Sequence, residues 1–136
     1  MHVLFPMKLL LIISAILEAG LGLGLLLLPT LPTSILLGVP VDTPAGLVAA
    51  RVAGAALIAL AIACWQARNG EREGPATGVV QAMLFYNFAV TAVLVYAGVR
   101  LELRSRLLWP VIVLHVGLGA WCLLNLWLTQ RKLSRA

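Results

Sequence analysis

Four side chains able to do chemistry lie deep inside apolar stretches of this 136-residue sequence: Glu18, Arg51, Asn87 and His115. A carboxyl and an imidazole exchange protons, a guanidinium binds anions, and a carboxamide both donates and accepts hydrogen bonds. Tyr86 stands beside Asn87, and Thr91 follows Asn87 by one helical turn. Glu18 is almost central in its stretch. Arg51 lies about 6 Å outward of the centre of its own, and Asn87 and His115 within about 5 Å of theirs, at 1.5 Å of helix per residue. The spacing thus predicts one polar layer at a common depth. Glu18, Arg51, Tyr86, Asn87 and His115 form the candidate ligand-binding set, with Glu18 and Arg51 expected to pair directly or through one water.

The depth matters because the surrounding solvent must be lipid. Hydrophobic residues make up 62% of the chain and charged residues 11%, against about 45–50% and 25% in soluble domains. A soluble protein of this size has too little interior to hide that apolar surface. Four stretches, 9–28, 45–65, 79–99 and 107–128, each reach the roughly 20 apolar residues that cross a bilayer. Breakers and charges bound them: Pro29 and Pro32, then Thr43-Pro44, Asn69-Gly70 and Gly74-Pro75, and Arg100 to Arg106. Short connections predict an all-α, up-down-up-down bundle of four transmembrane helices forming a single domain over 1–136. The apolar residues 35–37 in the first loop are too few to span and predict a brief helical turn, with loop 29–44 roofing the polar layer. A cleaved signal peptide does not fit the first stretch, whose apolar run is too long for one.

An acidic residue at mid-membrane costs roughly 2.5–3.5 kcal/mol on insertion scales, and ten leucines and three isoleucines at roughly −0.5 kcal/mol each outweigh it. Insertion is secure, but the charge still needs a partner, a proton or water, and is expected to face inward. Helical spacing groups Ser14, Glu18 and Gly22 on one face, Arg51, Gly54, Ala55 and Ile58 on another, and His115 and Gly119 on a third. Gly20, Gly24, Gly54 and Gly119 are the candidate helix-packing positions. Gly20 and Gly24 form a GxxxG on the far side of the first helix from Glu18, facing another helix or protomer.

The net charge of +5 carries no nucleic-acid reading, because the basic residues flank apolar runs and so report topology. Lys8, Arg68, Arg72, Arg131, Lys132 and Arg135 fall on one side, and Arg100, Arg104 and Arg106 on the other. The positive-inside rule puts the first side, with both termini, in the cytoplasm. Trp65, Trp109, Trp121 and Trp127 sit mostly near span ends, as an aromatic belt. Cys64 and Cys122 form no CxxC pair and read as small apolar packing residues. No metal or cofactor motif is present: there is no HxxxH or ExxH, and a b-type haem on His115 would need a second axial histidine when the only other is His2.

The run GLGLGLLLLP at 20–29, Leu37-Gly38, and ARVAGAAL at 50–57 resemble the small four-helix bacterial membrane proteins of the DoxX-like type. That resemblance implies a four-helix bundle in the bacterial inner membrane, with some relatives linked to quinone or thiol oxidation complexes. Three functions fit the sequence. The first is a module that binds or transports a small lipophilic or amphiphilic ligand at the polar layer. The second is a non-catalytic accessory subunit, in a homodimer or a larger membrane complex. The third is an intramembrane enzyme using Glu18 or His115 as acid or base on a lipid or quinone, the least favoured of the three.

Overall fold

Each helix starts or stops where the local chemistry requires. The computed structural model describes residues 7–70 and 74–134, without the side chains of Lys132 and Leu133. Met1, Arg72, Arg135 and Ala136, which enter the topology reading, and His2, which enters the haem reading, lie outside the described residues. Among those described there are helices and no strands. They are α1 (Met7–Leu27), α2 (Thr30–Leu37), α3 (Pro44–Ala67), α4 (Pro75–Val99) and α5 (Leu108–Leu133). Four of them, α1, α3, α4 and α5, are long and apolar enough to cross a membrane, at positions close to the four apolar stretches. The protein is therefore an all-α, multi-pass integral membrane protein.

Thr43 caps α3, its hydroxyl accepting from the Gly46 amide at 3.2 Å, with Pro44 as the first helical residue; that proline has no N–H to leave unpaired. Pro75 begins α4 in the same way. The turn expected at 35–37 is a full helix, α2, of eight residues. Thr33 and Ser34 hold it by hydroxyl bonds back to the carbonyls of Pro29 and Thr30. Gly38 ends it at φ +77°, with the Arg104 carbonyl oxygen 2.7 Å from where a Cβ would stand. Glycine is required there twice over, by the dihedral and by the space.

The spans pack as two antiparallel pairs, α1 along α3 and α4 along α5. At the α1–α3 crossing, Gly22 and Gly54 bring backbone against backbone, so that a Cβ on Gly54 would sit 2.7 Å from the Gly22 oxygen. Two apolar clusters fill the interior. One joins Leu10, Leu11, Cys64, Val80, Met83 and Cys122 in the halves of the spans nearest the N-terminus of α1. The other joins Leu94, Leu108 and Ile112 at the opposite end, with Leu36 and Leu37 of α2 packed on it. The polar residues lie between the two clusters.

The outer faces are as apolar as the core. Phe85, Phe88, Val93, Val113 and Val116 are exposed, which suits a lipid solvent and no other. At the C-terminal ends of α3 and α5, Arg68 stacks on Trp65 with 3.9 Å to the ring centroid, and Arg131 on Trp127 with 3.6 Å. Aromatic rings carrying a cation are suited to the headgroup zone.

Candidate functional site

Three spans converge on the polar layer. Glu18 of α1 is buried, and its Oε2 accepts the Tyr86 hydroxyl of α4 at 3.1 Å. The Tyr86 ring meets the His115 imidazole of α5 edge to face, with centroids 5.8 Å apart. His115 Nδ1 lies 2.8 Å from Asn87 Oδ1, and Asn87 Nδ2 donates to the Met83 carbonyl at 2.7 Å. A continuous path therefore runs from carboxyl to phenol to imidazole to carboxamide. Tyr86, placed in the layer by its depth beside Asn87, carries a hydrogen bond from the α4–α5 pair to the α1–α3 pair.

The bonds also set the imidazole tautomer. Because the Asn87 amide nitrogen is spent on Met83, the oxygen faces His115, and an oxygen can only accept. Nδ1 must carry the hydrogen, which leaves Nε2 of the neutral ring as an acceptor. Neither Nε2 nor the second oxygen of Glu18 makes a hydrogen bond among the described residues. The layer thus keeps two acceptors in hand.

Arg51 does not join it. The side chain is exposed and forms no ion pair with Glu18. The buried stripe of α3 is Gly54, Leu57, Ala61 and Cys64, and Arg51 lies about 100° round the helix from its centre. The stripe through Arg51, Gly54, Ala55 and Ile58 is misphased because residues 53–56 read Ala-Gly-Ala-Ala, and side chains so alike carry no periodic signal. The Gly22–Gly54 crossing sets the phase instead. The expected Glu18–Arg51 pair is replaced by Glu18–Tyr86.

The packing glycines divide. Gly54 meets α1 backbone, a Cβ on Gly24 would stand 3.0 Å from the Pro32 ring, and one on Gly119 would stand 3.6 Å from Asn87 Cβ, leaving room for the carboxamide. A Cβ added to Gly20 would meet nothing within 4 Å among the described residues, and Gly20 lines an apolar recess of about 310 Å³ with Leu31, Pro32, Ile35, Leu107 and Val111. The α2 segment borders that recess and packs on the outer cluster. It does not roof Asn87 or His115. A second recess, of about 350 Å³, opens laterally between α1 and α3, and neither recess is lined by Glu18, Tyr86, Asn87 or His115.

The buried stripe of α5 runs on past the layer to Asn125 and Thr129. Asn125 donates to the Trp121 carbonyl and Thr129 to that of Asn125, each at 3.0 Å. Their spacing from Cys122 (i+3, i+7) is the signal that finds them. Ser14, one turn from Glu18, is fully buried with no partner for its hydroxyl among the described residues. Cys64 and Cys122 are fully buried, free, and in one cluster although far apart in sequence. No group of three or more metal-ligating side chains forms among the described residues.

Compared with models of protein families, with curated proteins and with solved structures, the chain matches none.

Proposed function

We propose that this membrane protein binds a small amphiphilic ligand whose polar end is a hydrogen-bond donor, a hydroxyl, phenol or amine, at the layer of Glu18, Tyr86, Asn87 and His115. The observation that carries this reading is the surplus of acceptors. A clamp made only to fix helix register would turn its polar atoms onto one another. Here one atom each of Glu18 and His115 has no hydrogen-bond partner among the described residues and is not fully enclosed, so it stays open to an incoming group. This layer ties Tyr86 to Glu18 and Asn87 to His115 and still presents a carboxyl oxygen and a ring nitrogen. With Arg51 absent from it, the layer favours donors or cations over anions.

The test is purification in a mild detergent followed by mass spectrometry of extracted small molecules. Wild type should carry an amphiphile with a donor group that is lost from Glu18→Met and from His115→Phe. If both variants retain the same molecules and larger subunits persistently accompany all three proteins, the accessory-subunit reading replaces this one. That second reading has its own support in open glycines, Gly20 and Gly117, where a partner helix can approach closely.

Orientation belongs to the same proposal. Lys8, Arg68 and Arg131 flank one end of the bundle, and both Trp–Arg stacks lie there, so that end and both termini are assigned to the cytoplasm. Reporter fusions at residue 136 and within 38–43 should report opposite sides, with residue 136 inside. An external residue 136 would reverse the assignment.

A further inference from the structure

Arg51 and the recess between α1 and α3 share one stripe of α3. At 100° per residue, Ala55, Ile58 and Ile62 all fall within about 40° of Arg51. Ile58, Ile62 and Trp65 form one bank of the recess, and Ala15, Ile16 and Ala19 of α1 form the other. The recess exists because α1 presents methyl groups at Ala15 and Ala19 where bulkier side chains would close it. Its walls are apolar up to Gln66 at the far end.

Arg51 stands seven residues into α3, about 10 Å from its start. The 24 residues of α3 span about 36 Å against about 30 Å of hydrocarbon, so the helix start projects a few ångströms into the headgroups. Side chains on a helix lean toward its N-terminus, which here is toward that headgroup layer. Val48 and Val52, on either side of Arg51, are 62% and 64% exposed. The guanidinium therefore stands among lipid chains, just below the phosphates, with no acidic partner among the described residues. Glu18, the one acidic residue in the spans, is turned inward to Tyr86. A cation in that position requires an anion from outside the chain.

We propose that Arg51 and the α1–α3 groove hold one phospholipid, with its phosphate on the guanidinium and one acyl chain running past Ala55 to end at the near end of the groove, between Ile58 and Ala19. The backbone of Arg51 lies about 7 Å inside the hydrocarbon and Ile58 about 10 Å further along the axis, so the near end of the groove sits a few ångströms past the bilayer midplane, where a chain from the Arg51 leaflet ends. A planar guanidinium suits phosphate, which it binds through two parallel N–H bonds. Arg51 takes no part in the polar layer, so this site stands or falls apart from the ligand proposed there.

The test is native mass spectrometry of the full chain, delipidated and titrated with phosphatidylglycerol or with diacylglycerol of the same acyl chains. Wild type should take up phosphatidylglycerol saturably at one per chain, and diacylglycerol at least about tenfold more weakly. Arg51→Gln should weaken phosphatidylglycerol about tenfold while leaving helix content and thermal stability unchanged, because the guanidinium has no partner among the described residues. Ala19→Leu, which fills the groove and leaves Arg51 in place, should also weaken it severalfold. Equal phosphatidylglycerol affinity in wild type and Arg51→Gln would overturn the proposal. So would an Arg51→Gln protein that loses a wild-type dimer while binding lipid unchanged, since Arg51 would then face a second copy. Wild-type affinity in Ala19→Leu would remove the groove from the site.

Discussion

Gly54→Ala should separate α1 from α3 and destabilise the bundle by about 1–3 kcal/mol, in the range of overpacked interiors. The new methyl would lie 2.7 Å from the Gly22 oxygen and 2.7 Å from the Leu26 nitrogen. Both are backbone atoms of a helix, so no side chain can rotate away to make room. The strain must be relieved by moving α1 as a body, which also disturbs Glu18, one turn from Gly22. Gly20→Ala is the matched control, because nothing lies within 4 Å of its added Cβ; it should unfold like wild type. Thermal or denaturant unfolding in detergent, followed by circular dichroism, compares the two. Equal stability of the two variants would mean that the α1–α3 crossing is not the close contact described.

Asn87→Ala should cost about as much by another route. It removes the acceptor of His115 Nδ1–H and leaves that donor buried and unmet, a loss of roughly 1–3 kcal/mol. His115→Phe in the same background should restore part of the loss, because the orphaned donor disappears. The two single substitutions should therefore sum to more than the double. Coupling energies for hydrogen bonds between membrane helices average about 0.6 kcal/mol and reach about 1.7, and the upper part of that range is expected here, since the Met83 carbonyl holds the amide in place. Strict additivity would show that the Asn87–His115 bond contributes nothing to the fold. The Gly54 effect is steric and should persist in any detergent, whereas this one should shrink in detergents that admit water to the layer.

The residues legible in the sequence are those whose environment is decided by depth. Hydrophobic run length placed four spans, and Glu18, Asn87 and His115 could be assigned to the interior because each would carry a penalty of its own in lipid. Proline and capping signals at Thr43-Pro44 and Gly74-Pro75 marked helix starts to within a few residues, since they act locally. Rotation about the helix axis is another matter. On α3 the run Ala53-Gly54-Ala55-Ala56 offers no contrast between faces, and in a membrane helix both faces are apolar, so the period that locates a buried side in soluble proteins is nearly absent. Only the meeting of Gly54 with Gly22 fixed that rotation, and with it the fate of Arg51, which turned from the polar layer to the lipid. Tyr86 was decided in the same way, because its partner is 68 positions away and no local pattern encodes a contact between helices. Cys64 and Cys122 share a core for the same reason. Depth is a property of one helix and can be read along the chain; azimuth is a property of pairs of helices and exists only once they have packed.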